Sequence, residues 1–313
     1  MSDNNHTSDK DMGGTTSNVV ENEKERENAP PPEKPEPRDE MLEAALEVVA
    51  NSASFFARAG LAANMQQPLP TPPQRNITIH LVRHAEGPHN LRSIPVKERL
   101  DMLNPGLTRC GLAQAILLSK RFHAMDKLTH IVASPLRRTV HTALVGFKPA
   151  IKRGIQIVLC PDLRECGAGQ CNTGTNIDDL LKDLLSIEDD VPKDCVDGSL
   201  CEPGWEIDTE PWGKDDLRAK RVARVQAMLY FLGKMAADAS NDDVEIAVVT
   251  HSRLLAYLEG HTSEVDIYRN AEYRSYRITT DEEVAAGVNM FKLTETEESK
   301  NYVHTFPEFI NEE

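Results

Sequence analysis

The sequence lacks any Cys-x-x-Cys pair, although it contains six cysteines. Cys160, Cys166 and Cys171 are too widely spaced for a zinc knuckle, so we expect no metal site. The first twenty residues are polar and lack the apolar stretch that a secretory signal needs. We therefore expect a protein of the cytoplasm, with the nucleus as the alternative, whose cysteines stay reduced as free thiols.

Basic residues are scarce as well, because 35 Lys and Arg face 50 Asp and Glu and the formal charge is −15. Binding to phosphate backbones needs a basic face, so nucleic acid is excluded as the main partner. The acids are concentrated between residues 176 and 216, where 14 of them accompany three lysines. This segment is either a solvated excursion at the surface or a lid near an active site. We assign a lid-like acidic insertion to residues 166–216.

The first 75 residues have few groups that could build a core. Nine of the 19 prolines lie there, together with long polar runs, and this composition predicts a disordered tail. Within it, residues 40–63 combine helix formers with apolar residues at helical spacing, which indicates one amphipathic helix. That helix could form transiently, pack on its own domain, or bind a protein partner or a membrane surface. Glu43, Glu47 and Arg58 interrupt it, so we expect no transmembrane span.

Apolar runs typical of buried strands alternate with amphipathic helices between residues 76 and 296, and 40% apolar content is enough for a core. The strands are expected at 77–83, 130–134, 155–159, 244–250, 273–278 and 288–293. Helices are expected at 104–123, 135–146, 177–185, 215–237 and 253–259, with a short one near 92–102. The alternation predicts an α/β fold, a three-layer α/β/α sandwich around a mostly parallel sheet, followed by a tail at 297–313.

Three of the predicted strands end in reactive side chains. In chain order these are Arg83-His84, then Ser134 with Arg137 and Arg138, and finally Thr250-His251. If the strands are neighbours, the groups converge at the carboxyl edge of the sheet, where open α/β sheets bind ligands. Histidines and forked guanidinium groups together form an anion pocket suited to phosphate. A lone histidine is more often structural, so this prediction depends on the convergence.

The run Leu81-Val-Arg-His-Ala-Glu86 with Asn90 resembles the Arg-His-Gly/Ala-Glu signature of the histidine phosphatase superfamily, which has the phosphoglycerate mutase-like fold. Further blocks agree in order and spacing: Leu107-Thr108 with Gly111 and Gln114, Ser134 to Thr139 with Thr142-Ala143, Leu163 to Glu165, and Val249 to His251. Cys171 to Thr175, Gly204-Trp205 and Arg269 to Tyr276 look more narrowly like fungal phosphoglycerate mutase-like proteins. The resemblance covers residues 76–280.

The resemblance implies a phosphatase that hydrolyses a small-molecule phosphomonoester through a phosphohistidine intermediate, without a metal or other cofactor. His84 would be the nucleophile. Glu165 would supply the proton for the leaving oxygen. The groups that would hold the phosphoryl oxygens are Arg83, Asn90, Arg138 and His251. Adjacent helical side chains diverge by about 100°, so only one of two neighbouring arginines can point inward, and the family register selects Arg138 over Arg137.

Two other functions remain open at this point. One is a phosphoglycerate mutase-like phosphomutase, although Glu165-Cys-Gly167 departs from the longer motif of true mutases. The other is a non-catalytic phosphate-binding scaffold whose tail recruits a protein partner. A phytase-like activity is disfavoured, because Ser252 stands where that branch has an Asp. Trp205 and Trp212 could contact the organic part of a substrate or simply be buried.

Overall fold

The structure, a computed structural model, describes residues 76–165, 167, 169–206, 232, 235, 243–259, 268–279 and 292–302. Within these residues seven strands form one sheet in the order β4-β3-β2-β5-β1-β6-β7. The strands are β1 Asn76–Arg83, β2 His130–Ala133, β3 Ile157–Leu159, β4 Val196–Asp197, β5 Asp243–Thr250, β6 Tyr273–Thr279 and β7 Lys292–Glu295. The first five in this chain order are parallel, and β6 and β7 are antiparallel additions at one edge.

The described helices are α1 Val96–Asp101, α2 Arg109–Arg121, α3 Arg137–Gly146, α4 Lys148–Lys152, α5 Ile177–Ile187, α6 Ser252–Leu258 and α7 Glu297–Asn301. The side chain of Thr108 caps α2 by accepting from the backbone N–H of Gly111, and Asn176 caps α5 in the same way. Such caps satisfy amide groups that the first helical turn leaves without a partner. The caps explain where these two helices begin.

The sheet separates two hydrophobic layers, and alternation along β5 shows how. Ala247 and Val249 face the layer built by α2, α3, α4 and α5, whereas Ile246 and Val248 face the layer that contains α6. Successive side chains of a strand point to opposite faces, so a central strand must be apolar on both. The predicted α/β/α sandwich with a mostly parallel sheet is confirmed.

The acidic segment contributes to the core in the part that the structure describes. Leu180 and Leu184 of α5 are buried against the sheet, and β4 extends the sheet by pairing with β3. Trp205 is also buried, with 8% of its surface exposed. Asp178, Asp179, Asp183 and Asp189 of this segment are exposed, whereas Glu188 is buried, and a lid-like role stays a prediction.

Several expectations fall outside the described residues. These are the disordered tail 1–75 with its amphipathic helix 40–63, most of the helix 215–237, and Trp212. Toward the carboxyl end, we expect the domain to end at residue 296, and α7 begins one residue later, at Glu297. Ser299 of α7 accepts a hydrogen bond from the backbone N–H of Ser275 in β6, so this helix packs on the sheet.

Strand order decides whether the reactive strand ends meet. β5 lies between β1 and β2, with Arg83 in register with Thr250 and Ala133 in register with Val249. The backbone N–H of His84 then donates to the Thr250 carbonyl at 2.9 Å. All three ends consequently reach the same point of the carboxyl edge of the sheet.

Candidate active site

The loop that follows β1 is held by close backbone packing. A Cβ at Gly111 would lie 2.0 Å from the carbonyl oxygen of Glu86, so only glycine allows α2 to approach the loop this closely. The backbone N–H groups of Ala85 and Glu86 donate to the side chains of Thr142 and Gln114. The loop is therefore fixed between α2 and α3 before any ligand binds.

His84 is buried and its ring has one defined orientation. Its Nδ1 lies 2.7 Å from the carbonyl oxygen of Ala85 and must donate, because a carbonyl can only accept. Burial lowers the pKa of His84 well below its usual value, and the nearby charge of Arg138, then His89 and Arg83, lowers it further. The neutral ring thus keeps its proton on Nδ1 and leaves the lone pair of Nε2 available for attack on an electrophile.

Arg138 points inward from the first turn of α3 and is 1% exposed. Its Nη1 donates to the Cys171 carbonyl at 2.6 Å and its Nη2 to Asn172 Oδ1 at 3.1 Å. Its Nε is buried without a partner among the described residues, a donor that a bound anion could satisfy. Burial lowers the pKa of Arg138 to about 10, against the opposing charge of Glu165, so the group remains cationic at neutral pH.

Arg83 lies across the site from Arg138. Its Nη1 donates to the carbonyl oxygen of Tyr268 at 2.5 Å, which anchors the guanidinium group beside His84. Arg137 points away instead and forms an ion pair with Asp183 at the surface of the acidic segment. The two adjacent arginines therefore separate as helical geometry requires.

His251 lies beside His84, with its ring centroid 5.1 Å from that of His84. Its Nδ1 lies 3.2 Å from Nη2 of Arg138, which can only donate, so Nδ1 is the acceptor. The ring proton is then on Nε2, which lies 2.9 Å from Ser134 Oγ. Both ring nitrogens thus have protein partners, and Ser134 and Arg138 fix the orientation of the ring.

Glu165 follows β3 on a loop that ends next to the site, and its charge acts on both Arg138 and Cys171. Asn90 lies on the other side, in the turn Pro88–Asn90. Its Oδ1 accepts from the backbone N–H of Gly87 and from Nδ2 of Asn270, so its amide nitrogen is the group left to donate to a ligand. The structure brings together all six residues singled out in the sequence: Arg83, His84, Asn90, Arg138, Glu165 and His251.

Other residues of the site were not predicted. Asn270 supports the loop by donating to the backbone carbonyl of His84 at 3.1 Å. His89 stacks near His84 at a ring distance of 5.4 Å, and the charge of Arg99 reaches it. His89 could have been found from the sequence, because it lies between the run Leu81 to Glu86 and Asn90. Arg99 lies in none of the motifs named above.

Within the described ranges no group of histidine, cysteine and acidic side chains is arranged to hold a metal ion. Among the helices that the structure describes, none is both long and apolar enough to cross a membrane.

The arrangement is one of a neutral imidazole near two guanidinium groups. Residues 79–195 match the model of the histidine phosphatase superfamily, branch 1. Over that segment the chain is similar to members of this superfamily. The matched range contains His84, Arg138 and Glu165, whereas His251 lies beyond it and is brought in by the pairing of β5 with β1.

A probable phosphatase of Schizosaccharomyces pombe is 34% identical over 108 residues, which are 34% of this chain and 48% of that protein. The alignment thus spans about half of the relative's length. Solved structures are also similar. The ecdysone phosphate phosphatase of Bombyx mori, in complex with tungstate, has a TM-score of 0.43 at 16% identity over 69% of this chain and 91% of its own. A phosphoglycerate mutase from Bacillus anthracis has a TM-score of 0.42 at 14% identity over 71% and 93%.

Proposed function

We propose that this protein is a phosphatase that hydrolyses a small-molecule phosphomonoester through a phosphohistidine intermediate. The observation that carries the proposal is the hydrogen bond from Nδ1 of His84 to the Ala85 carbonyl, which leaves Nε2 unprotonated beside Arg138. A neutral imidazole fixed in this way needs no proton transfer before it attacks phosphorus. The match of residues 79–195 to the superfamily model and the similarity to a probable phosphatase support the assignment.

In the first step, Nε2 of His84 forms a bond to phosphorus while the bond from phosphorus to the ester oxygen breaks. Glu165 donates a proton to the departing oxygen, and the alcohol leaves. In the second step a water molecule, deprotonated by Glu165, attacks the phosphohistidine, and inorganic phosphate leaves with His84 restored. Arg83 and Arg138 stabilise the charge on the phosphoryl oxygens in both steps, mainly by fixed electrostatic attraction.

The remaining groups position the reactants. The free amide nitrogen of Asn90 would donate to a phosphoryl oxygen. His251 accepts from Nη2 of Arg138 and would act by holding that guanidinium group toward the phosphoryl oxygens. Since Glu165 lies within reach of the charge of Arg138, its proton transfer and the binding of the phosphoryl group occur at adjacent places.

The test is phosphate release from a panel of phosphomonoesters and from an aryl phosphate, with a chelator present and vanadate as inhibitor. We expect turnover that the chelator does not change and that vanadate suppresses. Phosphoryl transfer to an added sugar or acid instead of to water would identify a phosphomutase. Binding of phosphate without turnover of any substrate would favour the scaffold function.

A further inference from the structure

A second pair of nitrogen-bearing side chains, one neutral and one cationic, lies beside the phosphoryl site and takes no part in the steps above. It consists of His89, on the turn Pro88–Asn90, and Arg99, on α1. The His89 ring packs against Gly87, where a Cβ would lie 2.8 Å from its Cε1 and Nδ1, so the ring is held in place. Its centroid is 5.4 Å from that of His84, which makes it an immediate neighbour of the proposed nucleophile.

Helix α1 covers this part of the site. It packs against the turn Pro88–Asn90 and against the turn Gln170–Asn172, which carries the partners of Arg138. The backbone of Leu100 lies close to Gly169, where a Cβ would be 3.2 Å from the Leu100 carbonyl. The helix is therefore held by both turns next to the site, and Arg99 projects from it.

Arg99 and His89 each have one shielded nitrogen without a hydrogen-bond partner among the described residues. Arg99 Nε and His89 Nδ1 are both shielded from solvent and form no hydrogen bond with the described residues. Shielded donors and acceptors of this kind are costly unless something satisfies them. Burial and the charges of Arg138, Arg83 and Arg99 lower the pKa of His89 to about 3, so three guanidinium charges act on a neutral imidazole here.

Lys97 is a second cation on α1, and its surroundings differ from those of Arg99. It is exposed and pairs with Asp101 one turn further along the same helix, at 2.9 Å. Successive helical residues are separated by about 100°, so Lys97 and Arg99 lie on nearly opposite sides of the helix. The shielded nitrogen without a partner, Arg99 Nε, thus lies on the side of α1 opposite Lys97.

We propose that Arg99 and His89 bind a second anionic group of the substrate, next to the phosphoryl group that His84 attacks. This rests on the proposed phosphatase function and narrows its substrate class to phosphomonoesters with a further negative charge a short spacer away. A guanidinium group donates two parallel hydrogen bonds to a carboxylate and to a phosphate alike. The proposal therefore specifies an anionic group, and the experiment below distinguishes the two kinds.

The test compares ethyl phosphate with phosphomonoesters whose carboxylate is separated from the ester oxygen by one, two or three methylene groups. We expect wild-type kcat/KM to be about tenfold higher for the best carboxylated member than for ethyl phosphate, a typical effect of one charge-assisted hydrogen-bonded pair. Arg99→Met should remove that preference and leave ethyl phosphate unchanged within about twofold. Lys97→Met is the matched control and should keep the preference.

Loss of both activities by the same factor in Arg99→Met, or no preference anywhere in the wild-type series, would overturn the proposal. A bisphosphate arm distinguishes a carboxylate from a second phosphate as the preferred group. Should the wild type turn over none of these esters, the proposed function fails, and equilibrium binding of 3-phosphonopropanoate against propylphosphonate then decides the inference alone. Tighter binding of the carboxylated phosphonate that Arg99→Met abolishes would uphold it, and equal binding would refute it.

Discussion

The hydroxyl of Thr250 donates to the carbonyl oxygen of Leu163 at 2.7 Å, and both residues are fully buried. Thr250 is the last residue of β5 and precedes His251, while Leu163 stands two residues before Glu165. This single bond therefore ties the loop of the proposed general acid to the strand end that carries the second histidine. The backbone N–H of His84 donates to the carbonyl of the same threonine, so Thr250 connects three parts of the site.

Replacing Thr250 with valine should loosen Glu165 without emptying the core, because the two side chains have nearly the same shape. We expect roughly a tenfold lower kcat for alkyl phosphates and a smaller loss for aryl phosphates, since displacement of a catalytic group chiefly harms the step it serves. Steady-state kinetics with both substrate types measure this. Thr129→Val is the matched control, because Thr129 Oγ1 makes the same kind of bond to Glu245 at the other edge of the sheet. Equal losses in both variants would contradict the link to Glu165.

Glu165→Gln tests the proton donor itself. We expect a loss of about 10²- to 10⁴-fold for esters with poor leaving groups and a much smaller one for activated aryl esters, which depart without a proton. A plot of log kcat against the leaving-group pKa should be steeper for the variant than for the wild type. Parallel plots would show that Glu165 has a structural role.

The two adjacent arginines should respond differently to the same change. Arg138→Met removes a buried cation from the phosphoryl site and should lower kcat/KM by at least about a hundredfold. Arg137→Met removes a partly exposed ion pair with Asp183, so activity should stay within about threefold and stability should change by less than about 1 kcal/mol. Similar activity losses in both variants would show that activity does not depend on the inward orientation of Arg138.

The first strand and the position of His84 at its end could be predicted because an apolar run breaks abruptly at Arg83-His84. β4 could not, since two residues, Val196 and Asp197, are too few to show a period. Convergence of the site also depended on β5 lying between β1 and β2, and hydrophobic periodicity does not encode strand order. The partners of Arg138 were missed for a related reason, because the Cys171 carbonyl belongs to the backbone and has no residue-type signal.

The buried histidines predict how stability depends on pH. Burial and neighbouring cations lower the pKa of His89 from 6.5 to about 3, and the pKa of His84 is lowered in the same direction. Below pH 6.5 the unfolded chain therefore binds protons that the folded chain does not, and stability falls as the pH drops toward about 3. Urea unfolding at several values between about pH 7.5 and 5 should show this decline. His89→Gln should make it shallower, and an unchanged slope would contradict the assignment.

Gly111→Ala tests the packing that holds the catalytic loop. The added Cβ would lie 2.0 Å from the Glu86 carbonyl, so either α2 or the loop must shift. Overpacking of this kind costs about 1–3 kcal/mol, and we expect a lower thermal midpoint together with at least a tenfold lower kcat. An unchanged midpoint and rate would show that the contact is not needed.

Trapping of the phosphoenzyme tests the central claim most directly. Wild-type protein mixed rapidly with a labelled phosphomonoester and quenched in alkali should carry acid-labile, alkali-stable phosphate, and peptide mapping should place it on His84. His84→Ala, verified as folded by circular dichroism, should carry none and should lose at least about a thousandfold in turnover. Turnover that persists in His84→Ala, or labelling at another residue, would contradict the account.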